Sequence, residues 1–343
     1  LIDKLAQCPT RYIIKNFIKL NFKGVRKRIN NIERQLIKSA GYANIITKFN
    51  PTHVHVHYLD MHRLKWLEYV PAHCKVCLTF WGSDLMTTPG GVEEYKIQYK
   101  ALRRADVITT QTLDLRTILL SKFGQDLLPK VQCQTFDPLL NKSKLIEELS
   151  TTESRKAFKM KYDVDPKKYC IQVGYSSAVG QNHSRILKQI NKLPSSHKEK
   201  IAVFIPLSYN ASGDYVSNLL NEIKGFDFQT IPILDYLSDK EMLSIVAGCE
   251  IFISMRENDA LNAAMLEALY AENIVITGSW LPYGFYRRNL ISFTAIDNYE
   301  QLSEELVSIF SNFAETKTTI INNRSVIRKV FNSDIISESW SKV

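Results

Sequence analysis

Apolar positions near the start of the chain recur at helical spacing. Ile14, Ile18, Phe22, Val25, Ile29, Ile32 and Leu36 fall three or four residues apart, laying one continuous apolar stripe along a helix over 13–38. From residue 42 the pattern changes to short apolar runs alternating with amphipathic stretches. A short helix stops before Pro51 and strands are expected at 53–60, 75–82 and 105–111. Helices at 62–69, 91–103 and 113–123 separate or follow them. Residues 137–168 are charged, carry Pro138 and Pro166, and read as a connection. A second alternation follows, with strands at 169–176, 201–209, 227–233, 250–255, 273–279 and 292–296. Helices are expected at 183–192, 213–224, 239–247, 261–271 and 299–313, and 318–343 reads as a last helix.

Strands separated by helical segments imply parallel βαβ units. Two such series imply an α/β chain of two Rossmann-like, doubly wound domains facing across a cleft. The expected domains are 1–140, with the N-terminal helix, and 169–316, joined by a 141–168 connector and followed by a 317–343 helix. A length of 343 residues agrees with two domains. Ligands in such sheets bind beyond the carboxyl ends of the strands, so the chemistry is sought there.

Composition narrows the class. At 45% hydrophobic and 23% charged, with 13 Gly and 11 Pro, the chain is neither collagenous, disordered nor a disulfide-knotted miniprotein. The net charge of +9 is concentrated at one end: residues 1–38 hold ten Lys/Arg against Asp3 and Glu33, a net of +8. The helix over 13–38 is then either an ordinary helix packed on a sheet or one that also touches anionic lipid headgroups. No helix-turn-helix, zinc finger or aromatic platform accompanies the charges, so no nucleic-acid partner is expected. No apolar run is long enough to span a bilayer and no signal peptide is visible. Cys74 and Cys77 form the one C-x-x-C, inside an expected strand and without a second pair, and read as reduced cysteines in or near a core. Asp163-Val164-Asp165 falls in the connector rather than after a buried strand and carries no metal argument.

The most informative stretch is 254–280. A strand ends at Met255, a polar turn Arg256-Glu257-Asn258-Asp259 follows, and a helix begins near Asn262 and Ala263. Arg256 stands where a cation meets a phosphate, and the helix start offers backbone N–H groups to a diphosphate. Asp259 and Glu267, eight residues apart, both lie near one edge of the helix and can accept from sugar hydroxyls and a ribose diol. The bland alternative is a capping acid and a solvated Glu. Upstream, Gly174 permits a close approach at a strand-to-turn junction, Ser176 is a candidate phosphate donor, and Asn182 caps the helix that starts at His183. A capped loop without a ligand would look the same.

In the first half, LTFWGSDL (78–85) stands at a strand end. Gly82 frees the backbone, Ser83 can donate, Asp84 can accept a proton and Trp81 offers a flat face to a sugar ring. Alternatively Asp84 caps the next helix and Trp81 is core. His53, His55 and His57 share one face of a strand, a geometry that rarely closes a tetrahedral site, so no metal is expected.

The 254–280 stretch resembles the donor-site signature of GT-B nucleotide-sugar glycosyltransferases, an acid-x7-acid pattern followed by an apolar strand. Asp259 stands where family 4 enzymes usually have Glu, and Ala260-Leu261-Asn262 replaces their Gly-Phe-Gly. VGYSSAVGQNHSRIL (173–187) and IPLSYN (205–210) resemble donor-domain loops of the lipid-linked 4-acetamido-4,6-dideoxygalactose transferases of bacterial surface-polysaccharide synthesis; Ser176, Asn182, His183 and Arg256 match that pattern and Ala178 and Val179 do not. Trp81-Gly82-Ser83-Asp84 is similar to an element of many GT-B acceptor domains. The strand HVHVHYLD resembles the one leading into the GT-B cleft, which places His57 on the acceptor side.

The resemblance implies a metal-independent hexosyltransferase without a cofactor. Its second domain would take a nucleotide-diphosphate sugar through Gly174, Ser176, Asn182, His183, Arg256, Asp259, Asn262, Ala263 and Glu267. Its first would take a polyprenyl-diphosphate-linked saccharide through His57, Trp81, Gly82 and Ser83. Asp84, Arg256 and Asp259 are the expected catalytic groups, Asp84 as general base if the reaction inverts. Residues 1–38 would hold the protein on the inner face of the cytoplasmic membrane. A GT-B acceptor domain opens with an earlier strand and glycine-rich loop, so the first domain is expected to be N-terminally incomplete. A non-catalytic sugar-nucleotide-binding module is the other reading.

Overall fold

The computed structural model describes residues 41–209 and 213–342. The basic helix expected over 13–38 lies outside them. The chain divides into two compact units. The first takes the described residues to Thr110 together with Ile118–Gln132, and the second takes Gln111–Thr117 and everything from Cys133 onward.

In the first unit β1 (His53–His57), β2 (Lys75–Phe80), β3 (Val107–Thr110) and β4 (Val131–Cys133) form one sheet in that order. The β1–β2 and β2–β3 pairings are parallel. Val76, Leu78, Phe80 and Ile108 are buried, with Leu102 and Leu119 from the neighbouring helices. β1 stops at His57 because Tyr58 takes a left-handed conformation (φ 62°). Asp60 then caps the helix Met61–Leu64, its Oδ1 accepting from the His62 and Arg63 amides, both at 2.8 Å. The sequence pattern gave no sign of β4, which has only three residues.

The second unit holds a six-stranded, all-parallel sheet. Its strands are β5 (Tyr169–Val173), β6 (Ile201–Pro206), β7 (Gln229–Ile233), β8 (Ile251–Ser254), β9 (Ile274–Gly278) and β10 (Thr294–Ile296). Their order is β10-β9-β8-β5-β6-β7. Counted from β5, this is the 3-2-1-4-5-6 doubly wound order, whose direction reverses between the first and fourth strands. Those strands are β5 and β8, so the switch point lies beyond Val173 and Ser254. β6, β8 and β9 are apolar on both faces because helices cover both sides, which explains their unbroken hydrophobic runs. Pro232 is tolerated because β7 is an edge strand. The helix Asp239–Gly248 starts in a reciprocal box: Ser238 Oγ accepts from the Glu241 amide and the Glu241 carboxylate accepts from the Ser238 amide.

Two segments differ from the sequence expectation. Residues 141–168, read from the sequence as a connector, belong to the second unit. They hold the helices Ser143–Leu149 and Thr152–Lys161, whose Ile146 and Phe158 enter the cores of the second unit. The C-terminal stretch is three helices, Phe313–Ile320, Asn323–Val330 and Ser333–Trp340, rather than one. Asn332 starts the last of these by accepting from the Asp334 and Ile335 amides. Of the described cysteines, Cys74, Cys170 and Cys249 are buried thiols and none is bridged. No described helix is long and apolar enough to cross a membrane.

Candidate functional site

Beyond β5 the chain turns through Gly174 at φ 64°. A methyl group there would come within 2.8 Å of His183 Nε2 and 3.0 Å of Gln181 Oε1, so both backbone angle and space demand glycine. The Gly174 amide donates to the Ile253 carbonyl of β8 (3.0 Å), tying the two strands together at the switch point. Ser176 was expected to face a phosphate. It is buried, and its Oγ accepts from Gln181 Nε2 (3.2 Å). Ser177 grips the Tyr209 carbonyl with both its amide (2.8 Å) and its Oγ (2.6 Å), fixing the loop after β6 beside the loop after β5.

Asn182 does not cap the His183–Ile190 helix as expected. Its backbone is left-handed (φ 57°, ψ 34°), and its side chain makes no cap bond. Its Nδ2 instead donates to the Met255 carbonyl (3.1 Å), a second tie between the β5 and β8 loops. His183 is fully buried, with Nδ1 3.0 Å from the Tyr215 hydroxyl and no partner for Nε2. Burial pushes its pKa down to about 4, so the ring is neutral at pH 7.

Beyond β8 the turn carries Arg256. Its guanidinium NH1 donates to the Tyr175 hydroxyl, its Cζ lies 5.7 Å from the Tyr175 ring centroid, and its backbone carbonyl accepts from the Trp280 indole (2.8 Å). Asp259 Oδ2 stands 4.0 Å from Arg256 Nε. The same carboxylate accepts from the Ala260 amide (2.9 Å) and from Asn262 Nδ2 (2.6 Å). Burial raises the Asp259 pKa, opposed by Arg256. Asn262 caps the Ala263–Tyr270 helix through the Met265 amide (3.2 Å), and Ala263 next to it is exposed. The switch point therefore presents one arginine and a capped helix start with small side chains, which together suit an anion.

Glu267 departs from expectation. Asp259 lies in the turn ahead of the helix, so the two acids do not share a helix edge. Glu267 is buried, and Lys142 Nζ sits 2.6 Å from its Oε1. Burial raises its pKa, and Lys142 opposes the shift. Its carboxylate is thus committed to a residue that sequence spacing gave no means of finding.

In the first unit, the turn after β2 is held by Asp84. Its Oδ1 accepts from the Trp81 and Gly82 amides, both at 2.9 Å, and its Oδ2 from the Leu59 amide (2.7 Å). The side chain is buried. A carboxylate that satisfies three backbone donors locks two loops together. Gly82 sits at φ 132°, outside the range of other residues. Gln98 completes the lock, donating to the Leu59 and Asp84 carbonyls. What the lock presents is an exposed Trp81, 5.9 Å from the His57 ring, and Ser83 Oγ 3.1 Å from the Tyr58 hydroxyl. His57 also stacks on His55, 4.0 Å between centroids. Tyr58, Tyr175 and Lys142 were missed by the sequence reading. Tyr58 and Tyr175 each follow a strand end, the position at which they could have been found.

Among the described residues, no three His, Cys, Asp or Glu side chains come together as metal ligands. Residues 10–112 match a family model described as Glycosyl transferase 4-like. No curated protein matches the chain. Solved structures do. Sucrose-phosphate synthase from Thermosynechococcus elongatus is 9% identical, with 94% of this chain and 79% of that one covered at a TM-score of 0.70. Anabaena HepE in complex with UDP-glucose is 11% identical, covering 84% and 79% at 0.66. A glycosyltransferase from Rickettsia africae is 16% identical, covering 93% and 83% at 0.63. The chain thus has the α/β fold with parallel sheets of the GT-B glycosyltransferase structures.

Proposed function

We propose that the protein is a glycosyltransferase that moves a sugar from a nucleoside-diphosphate sugar to a saccharide acceptor. The observation that carries this reading is the chemistry at the β5/β8 switch point. Arg256 is held there by Tyr175 and Trp280, at the position where doubly wound sheets bind nucleotides. The Glycosyl transferase 4-like match over 10–112 and the UDP-glucose in the HepE structure support it. In the reaction the guanidinium and the Ala263–Tyr270 helix start stabilise the departing diphosphate. Asp259 stands beside the guanidinium as its counter-charge. Trp81, His57, Gly82 and Ser83 form the saccharide surface of the first unit. The acceptor is a polyprenyl-diphosphate-linked saccharide, a reading that rests on the resemblance of 173–187 to the lipid-linked transferases and on the +8 of residues 1–38. That basic end accordingly meets the anionic inner surface of the cytoplasmic membrane.

The test is transfer of labelled sugar from a panel of nucleotide sugars to a polyprenyl-diphosphate saccharide, with and without EDTA. Transfer that survives EDTA and is lost in Arg256→Ala supports the reading. Nucleotide-sugar binding without turnover under any of these conditions favours the non-catalytic binding module instead.

A further inference from the structure

Arg256 follows the C-terminal end of β8, in a turn whose Trp280 bond fixes the backbone but not the long side chain. Two residues meet that side chain. Asp259 stands 4.0 Å from Nε, too far for a hydrogen bond, and Nε is without a partner. The Tyr175 hydroxyl accepts from NH1, and the Tyr175 ring lies 5.7 Å from Cζ. Of the two, only Tyr175 makes a hydrogen bond with the guanidinium. Tyr175 in turn is rigidly placed. It follows Gly174, whose amide is bonded to β8, and precedes Ser176 and Ser177, both buried and bonded.

The geometry points to Tyr175 as a positioning residue that pre-orients the Arg256 guanidinium for the diphosphate of a nucleotide. This rests on the functional reading above and adds to it. The hydroxyl spends one NH1 proton, and the remaining NH1 and NH2 protons are left for phosphate oxygens. Tyr175 acts by removing the rotamer freedom that Arg256 would otherwise lose on binding. Its removal therefore weakens diphosphate binding about three- to tenfold and does so only while Arg256 is present.

The experiment is a double-mutant cycle read by calorimetric titration of UDP, with GDP, ADP and TDP in parallel, into the full-length wild type, Tyr175→Phe, Arg256→Ala and the double variant. Thermal melting without nucleotide checks that each is folded. The expected result is a three- to tenfold rise in Kd for Tyr175→Phe against wild type, with no further change when it is added to Arg256→Ala. Replacement by Phe keeps the ring and its packing, so a merely structural Tyr175 would leave Kd unchanged. An equal loss in both backgrounds would mean that Tyr175 acts independently of Arg256. Either result overturns the positioning role while the functional reading stands. A wild type that binds none of the four nucleotides overturns both.

Discussion

His183 makes acid sensitivity a test of the switch-point packing. The ring is fully buried against the backbone of Gly174, with Tyr215 as its one hydrogen-bond partner. Its pKa is about 4 in the folded protein against 6.5 for an exposed histidine. Between those values the unfolded chain binds a proton that the folded chain refuses. Stability is therefore fully present above pH 6.5 and is lost as pH falls from 6.5 towards 4. At pH 5 the linkage amounts to about 2 kcal/mol relative to pH 7.5. The assay is urea unfolding of wild type and His183→Gln at both pH values. His183→Gln is less stable at pH 7.5 because it disturbs the Tyr215 bond, but its loss between pH 7.5 and 5 is smaller than that of wild type by about 2 kcal/mol. Other acid-sensitive groups, His55 among them, contribute equally to both proteins and cancel. Equal losses in the two proteins would refute the claim that His183 is held buried and neutral beside the site.

Three further outcomes follow from the same geometry. Gly174→Ala combines a left-handed backbone with a 2.8 Å approach to His183 Nε2, so it destabilises by at least about 1–2 kcal/mol in denaturant titration; no loss would mean that the turn is free to adjust. Asp84→Asn destabilises by about 1–3 kcal/mol, because an amide cannot accept at both ends of the Leu59, Trp81 and Gly82 cradle. A variant of full stability that had lost only turnover would mark Asp84 as a general base instead. Lys142→Met leaves Glu267 buried without its cation and lowers stability by about 2–3 kcal/mol, below the full cost of a broken buried pair because Lys142 is partly exposed. Glu267→Gln in that background recovers part of the loss, and failure to do so would show that the ion pair is not what Lys142 supplies.

The alternation of apolar runs made the second sheet legible, since buried parallel strands between helices have no polar face to blur them. The sequence also placed Gly174 and Arg256 at strand ends, where the doubly wound order puts the switch point. It could not show how the acids are used. Asp84, Asp259 and Glu267 are spaced as chemistry would space them, yet backbone amides, Asn262 and Lys142 occupy their carboxylates. Those partners come from 25 and 125 positions away for Leu59 and Lys142. Local spacing contains no information about such contacts. Asn182 was misread for a related reason: Asn suits an N-cap, but its left-handed backbone directs the side chain to Met255. β4 and the breaks between the C-terminal helices were too short to leave a periodic signal.

The central claim is that a nucleoside-diphosphate sugar binds at the β5/β8 switch point. Amide hydrogen exchange of the full-length protein, with and without saturating nucleotide sugar from the panel, tests it most directly. Slowed exchange is expected in two segments, Gly174–His183 and Arg256–Met265, with the Arg256 segment losing its protection in Arg256→Ala. Protection confined to other segments, or none in the presence of any nucleotide sugar, would contradict it.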